Sequence, residues 1–178
     1  MSMDQVATFG GGCFWCIEAA LNKIQGVHKA VSGFAGGRRP NPTYQQVITG
    51  MTGHAEVVQV HFDADVLSYE SLLEMFFQLH DPTTLNRQGN DVGTQYRSII
   101  LYHDNEQKNT AISVIQRLNA AHVWPEPIVT ELQAYSEFYQ AEDYHQGYAE
   151  ANPDQPYCAL LIGPKLKAFK LKFSDKLK

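Results

Sequence analysis

Val6-Ala7-Thr8-Phe9-Gly10-Gly11-Gly12-Cys13-Phe14-Trp15-Cys16-Ile17-Glu18-Ala19-Ala20-Leu21 changes its periodicity within a few residues. Val6–Phe9 has the composition of a short strand, the three glycines permit a tight turn, and apolar side chains then recur at helical spacing from Cys13 to Ile24. Strand, turn and helix are therefore predicted, with Cys13 at or near the helix N-terminus. Outward from this unit, Val27–Phe34 reads as a second strand. Ala55–Phe62 reads as a third, with Val58, Val60 and Phe62 on one face and Glu56 at its start. Ser68 is a plausible N-cap for a helix carrying Tyr69, Leu72, Leu73, Phe76 and Leu79, which Asp81-Pro82 stops at about His80. Arg97–Tyr102 makes a fourth strand. The resulting β-α-β-β-α-β order is that of a ferredoxin-like split βαβ unit, an α+β sandwich. Additional helices and an irregular C-terminal tail complete the expected fold. Asp104 and Gln107 resemble a capping box for a helix through Ala111, Ile115 and Leu118, and Ile128–Leu132 is placed to extend the sheet. In the tail, Tyr157–Ile162 reads as a late strand, and Pro164 suits the first turn of a helix burying Leu166, Phe169 and Phe173.

The 178 residues are 44% hydrophobic and 11% aromatic, enough for a single domain over 1–178 to bury a core, which excludes intrinsic disorder. Fourteen Lys and Arg against nineteen Asp and Glu supply no overall electrostatic footprint for a phosphate backbone, so no nucleic-acid partner is expected. Apolar runs such as Ile99–Tyr102 fall far short of the roughly 20 residues of a membrane helix. The opening Met1-Ser2-Met3-Asp4-Gln5-Val6 has no basic or apolar stretch of signal-peptide type. A cytoplasmic monomer without membrane contact is expected. Gly36-Gly37-Arg38-Arg39-Pro40-Asn41-Pro42 is the one concentrated loop signal.

Cys13, Cys16 and Cys158 are too few for the disulfide framework of a secreted scaffold. A thiol at a helix N-terminus meets unpaired N–H groups and the positive end of the helix dipole, which favour thiolate, so Cys13 is a candidate nucleophile. Cys16 completes C-x-x-C, the spacing at which a second thiol can attack an oxidised first one. A zinc site needs further Cys or His ligands at ligand spacing, which the sequence does not offer. Cys158 precedes the apolar run Ala159-Leu160-Leu161-Ile162, where simple packing accounts for it.

Phe14 and Trp15 either wall a pocket beside the nucleophile or pack in the core. Glu56 is either solvated or, if shielded from water, held protonated and able to act as an acid near neutrality. Tyr44 and Tyr96 stand at element edges, where their phenols can pack or hydrogen-bond a polarised oxygen. Asp91 is first a turn residue and second a candidate for the site.

Gly11–Cys16, Pro42-Thr43-Tyr44, Gly53-His54-Ala55-Glu56, His80-Asp81-Pro82-Thr83-Thr84, Gln88–Ser98 and Ala141–Gln146 occur here in one order. Together they closely resemble the peptide methionine sulfoxide reductases of the A type, over nearly the whole chain from Val6 to Phe173. The resemblance implies thiol-dependent reduction of the S epimer of methionine sulfoxide, free or protein-bound, with thioredoxin regenerating the enzyme and no cofactor or metal. Carried over by position, Cys13 is the nucleophile, Phe14 and Trp15 hold the substrate methyl, and Glu56, Tyr44 and Tyr96 surround the sulfoxide oxygen. Asp91 supports the site. Family members commonly resolve the oxidised nucleophile with a C-terminal cysteine, which Cys158 matches by position, and many have Gly where Cys16 stands, so both thiols remain candidates. A relay through two C-terminal thiols is not expected. Three rivals compete with this reading: a general thiol-disulfide oxidoreductase, a metal-stabilised binding module, and a redox sensor using Cys13 without turnover.

Overall fold

The computed structural model describes residues 4–178. The reading of the N-terminus rests partly on Met1, Ser2 and Met3, which lie outside the described residues. The chain runs through β1 (Asp4–Gly10), α1 (Phe14–Leu21), β2 (Val27–Ala35), α2 (Tyr44–Val47), β3 (Ala55–Asp63) and α3 (Tyr69–Gln78). A small hairpin, β4 (Arg87–Gln88) and β5 (Asp91–Val92), leads through a 3-10 turn (Thr94–Tyr96) into β6 (Ile99–Tyr102). Then come α4 (Asn105–Ala120), β7 (Glu131–Ala134), β8 (Phe138–Gln140), α5 (Tyr148–Ala151), a π-helical turn (Cys158–Ile162) and α6 (Gly163–Lys172).

Six strands form one sheet in the order β7-β6-β1-β3-β2-β8. β3 lies antiparallel between β1 and β2, and β1 lies antiparallel between β3 and β6. The unit β1-α1-β2 is therefore split by β3, the ferredoxin-like arrangement expected from the element order. β7 adds to one edge parallel to β6, and β8 adds to the other antiparallel to β2. Extension of the sheet begins at Glu131 rather than Ile128, because the Ile128 and Val129 N–H groups already donate to Asn119 Oδ1 and to the Pro82 carbonyl.

Alternation along the strands divides the core. Ala7, Phe9, Phe34, Val58, Val60, Phe62 and Ile100 face α1 and α3, where Phe9 stacks on Phe76 with ring centroids 4.5 Å apart. Ala35, Ala55, Val57, Ile99 and Leu101 face the other side under Tyr135 and Phe138. Two helix starts follow from local chemistry: Ser68 Oγ accepts from Ser71 N at 3.1 Å, and Asp104 Oδ1 accepts from Gln107 N at 2.8 Å. Gln107 Oε1 takes the His103 N–H at 3.0 Å, one residue before the cap, so the capping box is displaced.

The late strand expected over Tyr157–Ile162 does not form. This segment is helical and runs directly into α6. Cys158, Ile162, Leu166, Phe169 and Phe173 recur at intervals of three or four and turn inward, whereas Leu160 and Leu161 are exposed. That is helical periodicity, and Pro164 stands at the second position of α6, directly after the π-helical turn.

Candidate active site

Gly12 sits at φ +83°, a conformation that costs glycine little, and turns the chain from β1 towards α1. Its N–H donates to the Tyr96 carbonyl at 3.1 Å. Cys13 follows with an extended backbone (φ −68°, ψ 126°) as the N-cap of α1, so its side chain stands at the helix mouth. The loop rests on two side chains: a Cβ on Gly11 would fall 2.4 Å from His80 Cδ2, and one on Gly12 3.0 Å from Gln88 Cγ. His80 Nδ1 donates to the Phe76 carbonyl at 2.8 Å, and its Nε2 accepts from Ser98 Oγ at 2.7 Å. Burial lowers its pKa to about 4 and keeps the ring neutral. A Gly11→Ala substitution is expected to cost about 1–3 kcal/mol of stability by overpacking against His80. Displacement of Cys13 would slow turnover on the order of tenfold; denaturant unfolding together with the turnover rate checks both.

Glu56 is the second residue of β3, on the face that carries Val58 and Val60, with Phe34 opposite on β2. Only 1% of it is exposed, which removes the solvated alternative. Its Oε1 accepts from Phe14 N at 3.2 Å, which ties the carboxyl to the first turn of α1 beside Cys13. Burial pushes the carboxyl up to about 8, opposed by the Phe14 N–H and assisted by Asp91. Glu56 is therefore predominantly protonated at neutral pH.

The same enclosure corrects the expectation of a resting thiolate at Cys13. Burial first, and the neighbouring Glu56 carboxyl second, hold its pKa well above the ordinary range, and a hydrogen bond from the Trp15 backbone only partly compensates. Helix-end stabilisation is real but is outweighed by desolvation.

Tyr44 opens α2, whose Thr43 and Gln46 form a reciprocal capping box, and its N–H donates to both Glu142 carboxylate oxygens at 3.2 and 3.3 Å. Tyr96 ends the 3-10 turn. Burial, and next the Glu56 carboxyl, raise the pKa of both phenols, so both remain protonated donors close to Glu56. Asp91, in the hairpin, accepts from the Tyr157 hydroxyl at 2.6 Å. Cys13, Glu56, Tyr44, Tyr96 and Asp91 are thus brought together from five chain segments.

Phe14 and Trp15 part company. Phe14 is fully buried against Phe34, Tyr44 and His145. Trp15 is partly exposed, stacks on Tyr148 at 4.0 Å between centroids, and donates from Nε1 to His145 Nδ1 at 3.0 Å. His145 and Tyr157 are the residues that sequence reasoning did not single out. His145 lies in the motif Ala141–Gln146 and Tyr157 in the segment expected as a late strand, but nothing local distinguishes either from a packing residue. Gly147 is anchored by its N–H to the buried carboxylate of Glu18 at 2.8 Å, which secures the segment that carries His145 against α1.

A family described as Peptide methionine sulfoxide reductase matches residues 5–177. The chain belongs to this family. Peptide methionine sulfoxide reductase MsrA of Polynucleobacter asymbioticus is 54% identical over 169 residues, covering 95% of this chain and 89% of that protein. The protein of the same name from Nautilia profundicola is 54% identical over 171 residues, covering 96% and 97%. Among solved structures, Mxr1 from Saccharomyces cerevisiae in reduced form aligns with a TM-score of 0.78 at 32% identity, covering 85% of this chain and 87% of that one.

In this peptide methionine sulfoxide reductase all three cysteines are unpaired. Cys13 and Cys16 line one cavity of about 160 Å³, together with Asp91, Tyr157, Ile162 and Lys165. Cys16 occupies the third position of α1. Burial raises its pKa to about 11, while Lys165 opposes the rise. Cys158 is buried at the start of the π-helical turn and packs in one apolar cluster with Cys16, Ala19, Ala149 and Ile162. Among the described residues, no group of three or more His, Cys, Asp or Glu is placed to hold a metal ion, and no helix is long and apolar enough to cross a membrane.

Proposed function

We propose that the chain reduces the S epimer of methionine sulfoxide, in oxidised proteins and as the free amino acid, through a sulfenic acid on Cys13. The juxtaposition of Cys13, at the mouth of α1, with the protonated Glu56 carboxyl held on the Phe14 N–H carries this reading. A sulfoxide oxygen leaves sulfur only once protonated, and Glu56 is the acid that supplies the proton. The phenols of Tyr44 and Tyr96 hydrogen-bond the same oxygen. Cys13 sulfur attacks the substrate sulfur, the oxygen passes to Cys13, methionine departs, and the Cys13 proton restores Glu56 to its acid form. Trp15, held by His145, walls the substrate methyl, with Phe14 behind it and Asp91 supporting the site. Thiol-disulfide exchange transfers no oxygen atom, so it leaves the Glu56 acid and the Tyr44 and Tyr96 phenols with no departing oxygen to protonate or hydrogen-bond.

Cys16 is proposed as the thiol that resolves the sulfenic acid, releasing water as the disulfide forms. Both residues line one cavity, with Cys13 at the N-cap of α1 and Cys16 in its first turn. Cys158 packs with Cys16 in the apolar cluster and does not line the cavity that Cys13 and Cys16 share. Thioredoxin then reduces the disulfide, in the cytoplasm and with the enzyme as a monomer. After one equivalent of sulfoxide, without reductant, Cys16→Ser is expected to accumulate the sulfenic acid and Cys158→Ser to lose two thiols as the parent chain does. Trapping with a sulfenic-acid reagent and thiol counting test this, and the reverse pattern would transfer the role to Cys158.

A further inference from the structure

The lysines are unevenly placed. Residues 1–164 contain eight basic and eighteen acidic side chains, whereas residues 165–178 contain six lysines and one aspartate. All six lysines are exposed, and none makes an ion pair among the described residues. They belong to α6 and the residues after it, which border a groove of about 550 Å³. Lys165, Ala168, Phe169 and Lys172 form one wall of this groove, with Leu79 and Trp124 across from them. The groove shares Leu79, Gln88, Gly89 and Lys165 with the cavity lined by Cys13 and Cys16, so the two adjoin. At the cavity end Leu161, which lines the cavity, is 45% exposed, and its chain neighbour Leu160 is 74% exposed. Asp81, the groove's carboxylate, is engaged by the Thr83 N–H at 2.9 Å.

Neither the cavity nor the groove is lined by Glu56, Tyr44, Tyr96 or Trp15. Asp91 does line the cavity, so the lysine-walled groove adjoins the site on the Asp91 side of Cys13, apart from Glu56, Tyr44, Tyr96 and Trp15. We propose that this groove is the docking surface for the protein that regenerates the enzyme, a small dithiol protein whose thiols are flanked by apolar and acidic side chains. This deepens the reductase reading and rests on it. Apolar side chains of the partner cover Leu160, Leu161 and the groove floor, while its carboxylates meet Lys165 and Lys172. Its thiolate attacks one sulfur of the disulfide to give a mixed disulfide and releases one cysteine of this chain. Its second thiol then expels the other, so two electrons and two protons pass from partner to enzyme.

The test compares turnover driven by an acidic thioredoxin with turnover driven by dithiothreitol, which is too small to use the groove. Lys172→Glu and Ala168→Glu are each expected to raise KM for thioredoxin about threefold to tenfold, and KM for thioredoxin in the unaltered chain is expected to climb with ionic strength. Dithiothreitol-driven rates and KM for an oxidised polypeptide substrate stay unchanged. An unaltered KM for thioredoxin in both variants would overturn the proposal, as would an effect confined to the polypeptide substrate, which would make the groove a substrate site. Absence of dithiothreitol-driven turnover in the unaltered chain would instead overturn the reductase reading, and the groove proposal with it.

Discussion

A Cys13→Ser variant is expected to lose methionine sulfoxide reduction by on the order of 10⁴-fold or more, because the oxygen atom of the substrate must pass to this sulfur and a serine hydroxyl cannot accept it. Folding is not expected to suffer. Cys13 is the N-cap of α1 and makes no side-chain capping bond. Serine has nearly the same shape and is among the better N-cap residues, so the variant's unfolding midpoint should match or slightly exceed that of the parent chain. Loss of activity at unchanged or raised stability assigns the effect to chemistry. Turnover within tenfold of the parent would remove Cys13 from the reaction.

The next largest effect belongs to Glu56. Glu56→Gln keeps the volume but removes the acid, and should slow the reductive half-reaction by about 10²–10³-fold with little effect on reopening of the disulfide. The pH dependence has a definite sign. With the carboxyl pushed up to about 8, the reductive rate should hold through neutrality and fall as pH rises through 8, when the acid form is lost. In Glu56→Gln this descending limb should vanish. Stability provides a second readout. The folded carboxyl titrates higher than the unfolded one, so the native state binds the extra proton and stability declines as pH rises from the ordinary carboxyl range towards 8. That decline should be absent in the variant. A parent rate that rises across pH 8, or an unchanged rate in Glu56→Gln, would remove the carboxyl as the acid.

Much of this molecule was legible because local chemistry and tertiary structure agree. The strand-glycine-helix change around Cys13, the Ser68 and Asp104 caps and the alternation of Val58, Val60 and Phe62 all correspond to features of the fold. Tyr157–Ile162 was misread because a short apolar run fits a buried strand as well as a helix. Its inward positions become helical in pattern only when Leu166, Phe169 and Phe173 are counted with it. Positions of Cys13, Glu56 and Trp15 near element ends were readable, but their environments were not. The protonated state of Glu56 comes from burial between β2 and α1, and the raised Cys13 pKa from the same enclosure, both properties of packing across the sheet. Tyr157 meets Asp91 across 66 residues and His145 meets Trp15 across 130, and no local pattern announces that return. The lysine-rich C-terminus was hidden in a net charge that averages it against the rest of the chain.

The central claim is oxygen transfer from a methionine sulfoxide sulfur to Cys13, and single turnover of the two separated epimers by the unaltered chain, without reductant, tests it most directly. One methionine per enzyme from the S epimer alone, with two thiols lost, is the predicted result; no methionine from either epimer, or equal yields from both, would contradict it.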